Sequence, residues 1–242
     1  MKKLLTLALA IIMCLALLVA CTPAETPVET PAPETNEEVA ENAAMTYAEY
    51  VAAAIDDEVV IDAYVQGKQS WWDNKATVYL QDEDGAYFVY EMACSEEDYA
   101  KLEKGTHIKV TGFKGEWSGE VEIMDATFEI IEGNYVAEAF DATALLGTEE
   151  LVAHQNKVVT FKGMTVEAVS FKNDKPGDDI YVTLSKDGAS YDFCVELYLT
   201  GPETEVYQNV SALEAGSVID VEGFLYWYEG PNAHITSVSV AE

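Results

Sequence analysis

Leu102-Glu103-Lys104-Gly105-Thr106-His107-Ile108-Lys109-Val110-Thr111-Gly112-Phe113 recurs further along the chain as Leu213-Glu214-Ala215-Gly216-Ser217-Val218-Ile219-Asp220-Val221-Glu222-Gly223-Phe224. The match runs on, with Trp117 opposite Tyr228 and Gly119 opposite Gly230. Upstream, Tyr90-Glu91-Met92 stands opposite Val195-Glu196-Leu197, and Asp84-Gly85 opposite Asp187-Gly188. Further back, Ala63–Gly67 stands opposite Val159–Gly163. The order is kept throughout, so the chain reads as two copies of one unit, 45–133 and 134–242.

Each copy carries the same signals. Val59, Ile61, Ala63 and Val65 alternate with Val60, Asp62, Tyr64 and Gln66, which is strand period. Strands two and three are expected near 76–81 and 87–92, joined at Asp84-Gly85, a pair suited to a turn with positive φ at both central residues. Ser95 begins a short helix as N-cap, with acids in its first turn. Strands four and five follow near 106–113 and 120–131. In the second copy, strand one starts at Val158 with a bulge near Gly163, a helix follows Pro202, and strand four runs to Tyr228. Helical lead-ins precede both copies: Thr46 and Glu49 form a capping box, and 141–146 and 148–153 play that part later.

Three strands, a helix and two strands is the element order of the OB-fold, a five-stranded Greek-key barrel. On this order and the repeat, residues 45–242 resemble the tandem OB-fold-like lipoproteins of bacteria. The resemblance implies a mainly β chain of two such barrels, each with a helix between strands three and four. It also implies ligands lying across strands two and three, between the loop joining strands one and two and the loop joining strands four and five.

The N-terminus agrees with export. Met1-Lys2-Lys3 precedes an apolar run to Ala20, and Leu18-Val19-Ala20-Cys21 resembles a lipobox. Residues 1–20 are expected to be a signal peptide and Cys21 the lipidated mature N-terminus. Residues 21–44 then form a Pro/Glu/Thr-rich tether. This places the domains outside the bacterial cell membrane, held to it by the lipid on Cys21. Cys94 and Cys194 remain, either as one disulfide or as two buried thiols; Cys194 sits within the apolar strand pattern Phe193-Cys194-Val195, which fits the thiol.

Charge narrows the partners. The chain has 13 Lys, no Arg and 44 acids, a formal net charge of −31. The acids are shared, 20 against 6 Lys in the first copy and 18 against 5 in the second. A chain without a basic footprint is a poor candidate for a nucleic-acid partner. A neutral or cationic extracellular oligosaccharide, peptide or protein suits the charge better.

All four Trp lie in or beside the loops that would flank the ligand faces. Trp71, Trp72 and Trp117 belong to the first copy, and Tyr226, Trp227, Tyr228 and Asn232 to the second. Such residues stack on rings of a ligand; equally, they cap a barrel rim or fill the contact between domains. Within Tyr226-Trp227-Tyr228, neighbours on a strand face opposite ways, so at most two share a ligand face. Catalytic and metal motifs are not found: His107, His154 and His234 stand apart, and neither a GxSxG elbow nor a glycine-rich phosphate loop occurs. The expectation is a non-enzymatic binding or interaction module without cofactor or metal. Single-stranded nucleic-acid binding and scaffolding of a surface complex are the alternatives.

Overall fold

The computed structural model describes residues 43–241. The expected signal peptide, Cys21 and nearly all of the expected tether lie outside the described residues. The described part belongs to one compact unit, Val39–Glu242.

Its elements in chain order are α1 (Tyr47–Ala52), β1 (Glu58–Lys68), β2 (Lys75–Gln81), β3 (Ala86–Ala93), α2 (Glu96–Lys101), β4 (Thr106–Trp117) and β5 (Glu120–Asn134). After these come β6 (Phe140–Asp141), β7 (Val158–Phe171), β8 (Ile180–Lys186), β9 (Ala189–Val195), α3 (Glu205–Ser211), β10 (Val218–Phe224) and β11 (His234–Val240). The first five strands close into a barrel in the order β1-β2-β3-β5-β4. The second sheet has the corresponding order, and pairing of β10 with β7 closes its ring, with β6 added in parallel along β7. This is the OB-fold arrangement, with α2 and α3 each between the third and fourth strands of their barrel.

Local chemistry explains the elements. Thr46 caps α1 in a full capping box with Glu49, and Ser95 caps α2 by accepting from the Asp98 N–H. The bulge expected near Gly163 is present: β7 shifts register against β10 between Phe161 and Met164, and Gly163 takes φ +59°. The lead-in to the second barrel is a pair of 3-10 turns, Thr143–Leu145 and Leu151–His154, with no α-helix. Cys94 and Cys194 are both free and buried.

Three expectations are corrected. The segment from Lys114 to Gly119 is no open loop, because β4 and β5 stay paired out to Trp117 and Glu120. Only Ser118 and Gly119 turn the chain, both at positive φ. Asp84-Gly85 does not use positive φ; the Asp82 carboxylate instead accepts the backbone N–H groups of Asp84 (2.8 Å) and Gly85 (2.6 Å). Glycine is needed there for space, since a Cβ would lie 2.1 Å from the Tyr47 ring. Strand four of the second barrel ends at Phe224, and residues 225–233 are irregular, tied in part by the Asn232 N–H donating to the Tyr226 carbonyl.

Each barrel has its own core. Val59, Ile61, Val78, Leu80, Val89 and Ile108 help fill the first, and Val159, Phe161, Val182, Leu184, Phe193 and Ile219 the second. A third cluster joins them: Tyr79, Phe88, Ala137, Val158 and Phe224, with Leu199 and Tyr226 packed against it. Burying such side chains contributes about 1.5–3 kcal/mol each, more than the ~1 kcal/mol of a typical hydrogen bond.

Where β10 passes β11, a Cβ on Gly223 would meet the His234 carbonyl oxygen at 2.1 Å. Backbone cannot yield as a flexible side chain does. Gly223→Ala is therefore expected to lower stability by about 1–3 kcal/mol, read as a lower denaturation midpoint at unchanged slope.

Candidate functional site

In an OB barrel, the outward face of the second and third strands carries the ligand. The two barrels treat this face in opposite ways.

On β2 and β3, Ala76, Val78, Leu80, Tyr87 and Val89 point into the first core, so Tyr79 and Phe88 point out. The second barrel covers them. The Tyr79 ring lies flat on Phe224, with centroids 4.1 Å apart and planes at 5°, and Phe88 meets Tyr226 edge-on at 5.4 Å. The Tyr79 hydroxyl is 2.7 Å from His234 Nδ1. Around the rings, buried amides bridge the barrels: Gln81 Oε1 accepts the Val158 N–H, and Gln155 takes the Val121 N–H and donates to the Gly119 carbonyl. This face of the first barrel is closed.

On β8 and β9 the inward residues are Ile180, Val182, Leu184, Phe193 and Val195. The outward register pairs are Tyr181 with Cys194, Thr183 with Asp192, and Ser185 with Ser190. Tyr181 is 39% exposed, and the Thr183 hydroxyl donates to Asp192 at 2.7 Å. Asn232 reaches over from the loop joining β10 and β11 and donates its amide to the Asp192 carbonyl at 2.7 Å. Beside the start of β8, Lys172 pairs with Asp179 at 2.7 Å, and this ion pair raises the lysine's pKa. Tyr207 holds the same loop, donating to the Asp178 carbonyl and accepting from the Gly177 N–H. Except at Cys194, which is buried, the β8–β9 face is open and flanked by two anchored loops.

The residues singled out from sequence fall in several places. Trp71 is half-buried and donates Nε1–H to the Cys94 carbonyl. Trp72 and Trp117 are each 61% exposed. They stand at opposite ends of the first barrel, Trp72 beside the outer ends of β2 and β3 and Trp117 at the tip of the β4–β5 hairpin. No ring contact joins either to another aromatic side chain among the described residues. Trp227 packs against the second core, and its backbone N–H donates to Glu120. Tyr226 stacks on His234 at 4.3 Å. Tyr228 is 53% exposed, on the loop that also carries Asn232. Tyr181, Thr183 and Asp192 went unnoticed in sequence. Their signal was the alternation of Ile180, Val182 and Leu184 with hydroxyl-bearing neighbours.

Among the described residues, no group of three or more His, Cys, Asp or Glu side chains is arranged to hold a metal ion. No described helix is long and apolar enough to cross a membrane.

No protein family model matches the chain, and neither does any curated protein. Solved structures do resemble it. A murine DNA-binding protein bound to double-stranded DNA is 10% identical, at a TM-score of 0.36 over 76% of this chain and 90% of the other. The Ifi202 HINa domain in complex with double-stranded DNA is 11% identical, at 0.35 over 77% of this chain and 100% of the other. A replication protein A heterotrimer bound to single-stranded DNA gives 12% and 0.31, over 77% of this chain and 49% of the other. The likeness is one of fold. The expectation that nucleic acid is a poor partner is withdrawn: the solved structures found to resemble the chain include proteins bound to double- and single-stranded DNA.

The closed face has a pH signature. Burial holds His234 neutral by lowering its pKa to about 4, and the neutral ring accepts the Tyr79 hydroxyl at Nδ1. With the folded pKa below the unfolded one, this contribution is complete above about pH 6.5 and lost as pH falls toward 4. Wild type should lose up to about 1.4 kcal/mol per pH unit across that window relative to His234→Gln. Melting curves of both proteins over the window measure it.

Proposed function

We propose that the chain is an OB-fold binding protein without catalytic activity, held outside the bacterial cell membrane by lipid on Cys21, that takes its ligand on the open β8–β9 face. The observation that carries this reading is the asymmetry of the two faces. The aromatic face of the first barrel is filled by Phe224 and Tyr226, whereas Tyr181, Thr183 and Asp192 face solvent.

Single-stranded nucleic acid is the first ligand on this reading. OB barrels take oligonucleotides across this face, and bases stack on aromatic side chains such as Tyr181 and Tyr228 without regard to sequence. With 44 acids against 13 Lys, stacking rather than phosphate neutralisation must supply the affinity. Salt then screens a repulsion, and added salt strengthens binding, the reverse of the usual dependence. A neutral or cationic oligosaccharide or peptide is the second reading, favoured by the hydroxyl and carboxylate pair Thr183–Asp192 and by the charge.

Titration of the protein with a labelled single-stranded oligonucleotide and with neutral oligosaccharides, at low and high salt, tests both readings. Tyr181→Ala should weaken binding by about 1–3 kcal/mol for a lost stacking partner. Binding unaffected by Tyr181→Ala would contradict the site, and oligonucleotide binding that weakens with salt would contradict the mode.

A further inference from the structure

Ser70, on the loop joining β1 and β2, reaches from the first barrel to the second. Its N–H and its hydroxyl both donate to the Tyr198 carbonyl, at 2.7 and 3.1 Å. Tyr198 follows β9, one of the two strands of the open face. One residue before it, the Leu197 N–H donates to the Asp179 carboxylate at 2.9 Å, and Asp179 stands two residues ahead of Tyr181. Trp72 stands two residues beyond Ser70. Tyr181, Tyr198 and Trp72 are therefore linked in that order through two hydrogen-bonded junctions, the second of which joins the barrels. All three side chains are exposed or nearly so, Trp72 and Tyr198 the most. None of the three rings lies against another aromatic ring among the described residues, so each keeps a face free.

The loop that carries Trp72 is firmly held. The Tyr99 hydroxyl donates to the Gln69 carbonyl at 2.8 Å, Trp71 Nε1–H to the Cys94 carbonyl at 2.9 Å, and the Cys94 N–H to the Asn74 carbonyl at 2.9 Å. Asp73 and Asn74, both at positive φ, turn the chain between Trp72 and Lys75, which exchange backbone hydrogen bonds. Trp71 takes the inward place and leaves Trp72 to solvent. Tyr198 is fixed by its own turn, where the Leu199 and Thr200 N–H groups donate to the Glu196 carbonyl. Rings presented on backbone already in order lose little freedom when a ligand stacks on them.

On the reading that the β8–β9 face is the ligand site, we propose that Tyr181, Tyr198 and Trp72 form one stacking row, in which the first barrel extends the second barrel's face across the seam for a single-stranded nucleic acid. The charges beside the row favour this ligand. Lys172 is close enough to Tyr181 for its charge to reach the phenol, and Lys75 is bridged to Trp72 across the turn. An ammonium group thus stands at each end of the row in a chain that is otherwise acidic. Each is shared with a carboxylate, Lys172 with Asp179 at 2.7 Å and Lys75 with Glu91 at 2.6 Å, and both Lys side chains are partly exposed. A phosphate competes with those carboxylates, so the rings supply most of the grip. Separated rings flanked by ammonium groups match bases spaced along a phosphate backbone; a neutral sugar chain brings no charge to meet them.

Fluorescence anisotropy of a labelled oligothymidine of about 12 nucleotides, titrated with the intact protein at one salt concentration, tests the row. Trp72→Ala and Tyr198→Ala should each weaken binding about 5- to 150-fold, the effect of one lost stacking partner. Trp72→Phe keeps a ring and should hold most of the affinity. It should also remove part of the quenching of tryptophan emission that the bound strand causes in wild type, a reading that does not depend on the alanine variants folding. Weakening by Tyr181→Ala alone would overturn the row and leave the β8–β9 face standing. Absence of binding by wild type, or binding that Tyr181→Ala does not change, would overturn the face and the row with it. Quenching unchanged in Trp72→Phe would remove Trp72 from the row. A neutral oligosaccharide bound in place of the oligothymidine, and weakened by Trp72→Ala, would overturn the ligand class.

Discussion

Tyr79 lying flat against Phe224 is the contact on which the rest of the arrangement depends. Strand geometry leaves β2 no choice about it. With Ala76, Val78 and Leu80 turned into the first core, Tyr79 must face outward. A ring of that size is costly to leave in water, and an aromatic pair adds about 0.5–1.5 kcal/mol beyond the burial itself. Phe88, Leu199, Val158 and Tyr226 extend the patch. Polar groups swept under it find partners across the seam, as Gln66 does by accepting the Ala137 N–H and donating to the Tyr135 carbonyl. The barrels are joined by apolar burial, and the amides and His234 fix how they meet.

From this contact follows the division of labour. An OB barrel has one broad face for a partner, and the first barrel spends it on the second. The second keeps its own face free, with hydroxyl and carboxylate groups where the first has aromatic rings. Acidity shapes both. Lacking Arg, the chain cannot grip a phosphate bidentately, and its Lys side chains are partly committed: Lys114 to the carbonyls of Tyr50, Val51 and Ala53, and Lys172 to Asp179. The open face presents stacking surfaces and acceptors more than cations.

Much of the architecture was legible in the sequence. The repeat and the alternation of Val59, Ile61, Ala63 and Val65 led to five-stranded barrels, and Thr46, Ser95 and Gly163 marked two caps and a bulge that the structure contains. The tight β4–β5 hairpin was hidden, because Trp117 and Glu116 read as loop residues when in fact paired strands carry them outward. The roles of the rings were hidden too. Exposure depends on what the other barrel covers, a non-local fact that no periodicity within one unit records. One sign of it was present: Thr77-Val78-Tyr79-Leu80 places large side chains on both strand faces, whereas Tyr181-Val182-Thr183-Leu184 sets the smaller Thr183 against apolar neighbours. A strand apolar on both sides is a strand covered on both sides.

Hydroxyl-radical footprinting of the intact protein near neutral pH measures this asymmetry directly, because oxidation of an aromatic ring follows its contact with solvent. The account predicts that Tyr181 is modified while Tyr79 and Phe88 are protected. Modification of Tyr79 and Phe88 to the extent seen at Tyr181 would contradict it.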